Sequence, residues 1–455
     1  MAGKHPVANV GEHRDMDGGP TAQAEAEVAQ LVSELIQIDS SNFGNNEGPG
    51  EVAAADYVQQ RLLEVGLSSE RYRTTNDRRQ GVVLRIPGRN PTRDALLLHG
   101  HLDVVPAPET DWEHPPFSGA IDAEGMIWGR GAVDMKDMDG MMLAVIRNWA
   151  RAGIQPDRDI VALWLPDEEA GGGHGSGWLA DNRPELFDGV TEAVGEVGGF
   201  SVTLRDDLRM YPIQTAEKGI AWLRLIAEGT AGHGSFLAED NAVLKLCEAA
   251  SRIGQHRFPV QLTPAASAFL QNLEDLTGIE LDLDDPEEVT ARLGAIGRIV
   301  GATVRNTANV TMLDAGYKEN VIPNAASAVI DGRFLPGARE QFLETIEQLV
   351  GDGIRLEVIE NARAVETTFD GPLVDQMASA LTAEDDSAVP VPYLMSGGTD
   401  AKAFDRLGIR CFGFSPLLLP PEVNFFGMFH AVNERVPTSA LQFGVRVLDR
   451  FLRAA

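Results

Sequence analysis

Two runs, DALLLHG (94–100) and DIVALWLP (159–166), are apolar at almost every position where a half-exposed strand would alternate. A strand with no wet face has to be covered on both sides, and the usual solution is a parallel sheet flanked by helices. The helices are present. AEAEVAQLVSELIQI, EVAAADYVQQRLLEVGL and MDGMMLAVIRNWARAG repeat apolar residues at three- and four-residue steps, and the last stops at Gly153. With GVVLRIPG as a further buried strand, this alternation predicts an α/β layer with a largely parallel sheet.

Around Tyr211 the pattern changes. KGIAWLRLIAEGT alternates like a strand with one wet face, and the helix NAVLKLCEAASRIG follows. After a longer helical stretch come the strands TANVTMLDAG and NAASAVIDGRF, the helix REQFLETIEQLVG and the strand IRLEVIE. Strand, helix, two strands, helix, strand is the ferredoxin-like order. The α/β pattern resumes near Phe369 with LVDQMASALTA, IRCFGFSP and a final helix. The expected organisation is a polar leader over 1–20, an α/β domain over 21–213 and 366–455, and an α+β insertion over 214–365. In the acidic run LDLDDPEE, Asp285 as N-cap, Pro286 at the first helical position and Glu287 and Glu288 in the first turn read as a helix start.

A length of 455 residues also argues for two cores. A formal net charge of -30 disfavours nucleic acid and anionic membrane surfaces, which need clustered cations. The leader has no apolar stretch of a secretion signal, and no apolar run reaches the roughly 18 residues of a membrane span. Cys247 and Cys411 are the two cysteines, too few for a disulfide framework, so a reducing, cytoplasmic location is expected.

The chemistry sits where strands end, the place where open α/β sheets bind ligands. LLLHGHLDVVP closes a strand with His101 and Asp103, which point to the same side of an extended segment. An imidazole beside a carboxylate is the usual pairing of a metal ligand and its orienter. WGRGAVDMKDMDG places Asp134 in a glycine-rich turn before a helix, and WLPDEEAGGGHGSG ends a strand with Asp167, Glu168 and Glu169. AVGEVGGF adds Glu196 and GMFHAVNERV adds His430. Acids gathered beyond one sheet repel one another unless a cation joins them. Imidazole and carboxylate donors without thiolate suit zinc, and also accept cobalt or manganese.

With these residues in order, HGHLDVVP, GRGAVDMK, DEE, GHGS, NVIP, SGGTD and HAVNERV, the chain resembles the zinc aminoacylase and carboxypeptidase family. That family includes acetylornithine deacetylase, succinyl-diaminopimelate desuccinylase, aminoacylase-1 and glutamate carboxypeptidase. The resemblance implies a catalytic domain with an inserted lid and dimerisation domain, and two Zn2+ ions sharing Asp134. His101 and Glu196 would complete one ion, Glu169 and His430 the other. Asp103 would orient His101, and Glu168 would be the general base. A water activated by two such ions and deprotonated by Glu168 hydrolyses an amide without a covalent intermediate.

The resemblance further implies that His233, in GTAGHGSF, reaches the active site of a partner subunit and stabilises the oxyanion, making the working unit a homodimer. Arg333 would clamp a substrate carboxylate with Asn320 assisting. Gly397 and Gly398 would let backbone approach the scissile group. Asp137, where many relatives have glycine, and Gly234, where a small polar residue is frequent, depart from the simplest members. The length from about His256 to Val300 points to the larger aminoacylase and carboxypeptidase branch. The expected activity is hydrolysis of N-acyl amino acids, with a dipeptidase or carboxypeptidase of the same family as the alternative. A silent scaffold protein would have lost a ligand or the base, and all six residues are present.

Overall fold

The strand Ala95–His101 is buried along its whole length, and its side chains divide between two cores. Leu96 and Leu98 join one hydrophobic cluster, and Ala95 and Leu97 join another. Ile160–Leu165 divides in the same way, with Ile160, Ala162 and Trp164 on one side and Val161, Leu163 and Leu165 on the other. This is why neither run alternates. Each buried aliphatic side chain contributes about 1.5–3 kcal/mol.

These observations come from a computed structural model that describes residues 21–455 apart from 284, 286–288, 290, 291, 293 and 294. The leader and the helix start read at Pro286, Glu287 and Glu288 lie outside the described residues. The central sheet runs Glu70–Arg73, Gln80–Ile86, Ile160–Leu165, Ala95–His101, Val190–Gly195, Arg410–Gly413, Leu208–Glu217 and Val365–Glu366. From Ile160–Leu165 to Arg410–Gly413 the neighbours are parallel, as the apolar runs require. Along this path its flanks are antiparallel, and Ala388–Met395 adds a parallel strand to Leu208–Glu217. Helices Ala22–Ile36, Lys136–Ala152 and Thr438–Ala454 pack together over one face. Ser176–Asn182 and Ala401–Asp405 cover part of the other.

The segment between residues 219 and 362 forms a second, four-stranded antiparallel sheet. Its order is Thr307–Ala315, Ala325–Phe334, Gly219–Glu228, Ile354–Ala362, which is the ferredoxin-like arrangement. Helices Ala242–Gln255 and Arg339–Val350 seal one face over Leu223, Leu225, Ile330 and Phe334. The other face presents Met312, Val329 and Arg224, in register across three strands.

Among the strands that the apolar pattern does not reveal, Ala388–Met395 contains Pro390 and Pro392. It pairs only with Leu208–Glu217, and an unpaired edge tolerates residues without an N–H. Both cysteines are free. Among the described residues no helix is long and apolar enough to cross a membrane.

Candidate metal centre

Three adjacent parallel strands deliver the site. Ala95–His101 ends at His101, Ile160–Leu165 leads into the turn carrying Glu168 and Glu169, and Val190–Gly195 is followed directly by Glu196. Because the strands are parallel, their carboxyl ends lie together. Asp134 enters just before the helix Lys136–Ala152, and His430 just after the turn Phe425–Gly427.

The side chains form two groups, His101 with Asp134 and Glu196, and Asp134 with Glu169 and His430. Within each, one ligand atom per residue lies within 4.8 Å of the others. Asp134 belongs to both. Its Oδ1 is 3.2 Å from His101 Nε2 and its Oδ2 is 3.1 Å from His430 Nε2. Glu196 lies 3.5 Å from His101 Nε2, and Glu169 lies 3.2 Å from His430 Nε2. Glu168 stands beside the first group, 3.9 Å from His101 Nε2.

Electrostatics indicate what the groups need. Burial, and the proximity of Asp134 and Asp400, push Glu196 up to about 7 despite His101. Glu168 is held well above the carboxylate range by burial and then by Glu196. His430 is pushed up to about 10 by hydrogen bonds to Asp134 and Glu169. Four carboxylates therefore face two imidazoles in a site where desolvation makes repulsion costly. The buried Glu169 Oε1 has no hydrogen-bond partner. Oxygen and nitrogen donors in two overlapping groups, with surplus negative charge and an orphaned carboxylate oxygen, fit a pair of divalent cations.

The orienting role expected of the Asp103 carboxylate is taken by its main chain. His101 Nδ1 lies 2.9 Å from the Asp103 carbonyl oxygen, while the carboxylate is 3.8 Å away. A carbonyl can only accept, so this contact places the proton on Nδ1 and leaves Nε2 free to face a cation. The Asp103 carboxylate instead accepts the N–H groups of Glu168, at 3.0 Å, and Glu169, at 3.1 Å. Asp134 is fixed in the same manner: buried Glu434 accepts the N–H groups of Val133 (2.7 Å) and Asp134 (3.2 Å) and pairs with Arg130. Glu434 lies within the HAVNERV motif but has no sequence pattern of its own.

The other candidates sit apart from these groups. His233 is exposed and contacts Ser235 Oγ at 2.8 Å. Asn320 is joined to its loop through a 2.9 Å bond from Gly234 N–H to its carbonyl. Arg333 forks onto Asp331, at 2.7 and 3.1 Å, two residues back on its strand. Gly397 and Gly398 lie after Ala388–Met395. A Cβ at Gly398 would meet Lys402 Cε at 2.7 Å and Ile220 Cδ1 at 3.3 Å, so this turn touches the start of the second sheet. Lys402 anchors it, pairing with buried Glu217 at 2.7 Å and donating to the Lys218 carbonyl at 2.7 Å. Lys218 itself is buried, and that burial, with Arg333 and Arg305 nearby, lowers its pKa to about 7. Asp400 next to the turn is pushed up to about 7 by burial. Lys218 carries no sequence signal, because only the tertiary fold buries it, and Asp400 lies within the SGGTD motif without a sequence pattern of its own.

Comparison with known proteins agrees with this geometry. The chain is 28% identical over 423 residues to aminoacylase-1 of Sus scrofa, covering 89% of this chain and 90% of that protein. It is 28% identical over 478 residues to the N-fatty-acyl-amino acid synthase/hydrolase PM20D1 of Mus musculus, covering 98% and 91%. In fold it matches the di-peptidase Dug1p of Saccharomyces cerevisiae with a TM-score of 0.73 at 16% identity, over 96% of this chain and 97% of that one. The model of peptidase family M20/M25/M40 matches residues 97–454, taking in every residue of both groups. With the greater part of its length matched, the chain belongs to peptidase family M20/M25/M40 and is a hydrolase acting on amide or peptide bonds.

Proposed function

We propose that this hydrolase cleaves N-acyl amino acids, using two zinc ions held by His101, Asp134 and Glu196 and by Asp134, Glu169 and His430, with Glu168 as general base. The observation that carries this reading is the pair of ligand groups overlapping at Asp134, with Glu168 beside them but in neither. The bound cations would supply Lewis acidity that polarises the acyl carbonyl and acidifies the attacking water. Glu168 accepts a proton from that water as its oxygen bonds to the acyl carbon. The same proton passes to the departing nitrogen as the C–N bond breaks, giving a carboxylic acid and a free amino acid.

Arg333 offers a planar fork for the substrate carboxylate, with its Asp331 contact exchanged or shared on binding. Asn320 assists from the adjoining loop, and Gly397 and Gly398 admit the scissile group. The acyl-amino-acid reading draws on the two sequence relatives, both named for N-acyl amino acid chemistry and matched over most of the chain. Amine release by zinc-loaded protein, against a chelator-treated control, tests it on N-acetyl, long-chain N-acyl and aromatic-acyl amino acids plus simple dipeptides. Chelator-sensitive cleavage of the acyl amino acids is expected. Preferential cleavage of dipeptides would replace this reading with the dipeptidase one.

We further propose a homodimer through the second sheet. Its outer side exposes Met312, the edge strand and the loop after it expose Leu313 and Tyr317, and the neighbouring loop exposes Phe236 and Leu237 around His233. Such side chains are normally covered, and His233 would then act in the partner's site. Sedimentation should give twice the 49.0 kDa chain mass. A monomer with full activity would refute both the dimer and the role of His233.

A further inference from the structure

The loop that carries the proposed base is held from a direction the metal ligands do not explain. Residues 40–42 lie along residues 102–104: Ser40 Oγ donates to the Leu102 carbonyl at 2.6 Å, and Asn42 N–H to the Val104 carbonyl at 2.9 Å. This seats the Asn42 side chain between two buried carboxylates. Its Nδ2 donates to Asp103 Oδ2 at 2.9 Å and to Asp167 Oδ1 at 3.1 Å. Its Oδ1 accepts from Arg79 Nη2 at 2.7 Å and from Gly44 N–H at 3.0 Å. All four hydrogen-bonding positions of the amide are used. Arg79, itself buried, also pairs with Glu51 at the start of the helix Val52–Leu63.

Both carboxylates act on the base loop. Asp103 accepts the N–H groups of Glu168 and Glu169. Asp167 adopts the left-handed backbone conformation, φ 73°, and accepts the His174 N–H at 2.9 Å across the turn that follows. A buried carboxylate pair needs a donor between its members, and an amide fixed by Arg79 supplies one without adding charge. We infer that Asn42, oriented by Arg79, is a positioning residue that aims Glu168 by bridging Asp103 and Asp167. It touches neither substrate nor cation, and acts through the backbone of residues 167–169.

Near-isosteric Asn42→Asp removes the donor and sets a third carboxylate against the other two. With the base loop displaced, kcat on the best substrate of the panel should fall about 100-fold. KM should be unchanged, because Arg333 is untouched, and the ion of the His101, Asp134 and Glu196 group should be retained, because none of those residues lies on the loop; Glu169 does, so only the second ion should bind more weakly. The charge-conserving swap Asn42→Asp/Asp167→Asn restores one donor and should recover part of kcat. Asn42→Ala, read by the same kcat and KM split, covers the case in which the aspartate variant does not fold. Unchanged kcat in Asn42→Asp would overturn the inference, as would loss of fold or of both ions in both single variants, which would make Asn42 structural. The inference rests on Glu168 as the base, and Glu168→Gln run alongside separates the two. An inactive Glu168→Gln with a fully active Asn42→Asp sinks only the positioning role, whereas a fully active Glu168→Gln sinks the base itself.

Discussion

Glu168→Gln is expected to lower kcat by about 10³-fold, within the usual range for a lost general base, with KM and metal content nearly unchanged. The glutamine keeps the shape of the side chain, and the residue 168 N–H can still donate to Asp103. Metal should stay because Glu168 lies outside both ligand groups. Stability should move in the opposite direction to activity. Glu168 is a largely buried carboxylate facing Glu196, Glu169 and Asp400, so neutralising it removes repulsion and should raise the melting temperature of the metal-free protein. Gain of stability with loss of turnover is the signature of a residue retained for chemistry. The measurements are steady-state kinetics, metal analysis and thermal melts of the two proteins with and without chelator. Full turnover in the variant would exclude the mechanism.

Asp134→Ala is expected to abolish turnover and to remove both ions, whereas His430→Ala should cost chiefly one. The asymmetry follows from position: Asp134 Oδ1 faces the His101 group and Oδ2 the His430 group. Residues that merely support a ligand change metal affinity by about 10–100-fold, so deleting a ligand shared by two ions should exceed that. The deletion also strips both imidazoles of a partner and leaves Glu169 and Glu196 facing each site alone. Metal per chain after dialysis, measured by elemental analysis, reads the outcome. One retained ion together with substantial activity in Asp134→Ala would show that the two groups are independent, and the shared-carboxylate reading would fall.

The fold class was legible because burial on two faces leaves short unbroken apolar runs, too short for helices and bounded by turn residues. DALLLHG and DIVALWLP lack alternation since Leu96 and Leu97, or Ile160 and Val161, enter different cores. The strand Ala388–Met395 was not legible, because its prolines suit only an edge and edge position is a property of the assembled sheet. His101, Asp134, Glu168, Glu169, Glu196 and His430 stood out for being ionisable at the ends of apolar runs, where a bare charge has no structural purpose.

The sequence by itself determined that imidazole and carboxylate groups would end several parallel strands, and so that a cation site would form there. Periodicity and chemical type are local properties, and both are written along the chain. Only the tertiary structure decided how those groups are held. That the Asp103 carbonyl rather than its carboxylate meets His101 depends on the path of the backbone after the strand. That Glu434 fixes Asp134, and that Asn42 stands between Asp103 and Asp167, depends on segments about 300 and 61 residues apart being brought into contact. Hydrogen bonds of that range leave no periodic trace, since they are selected by three-dimensional distance and by the high cost of leaving a buried polar group without a partner.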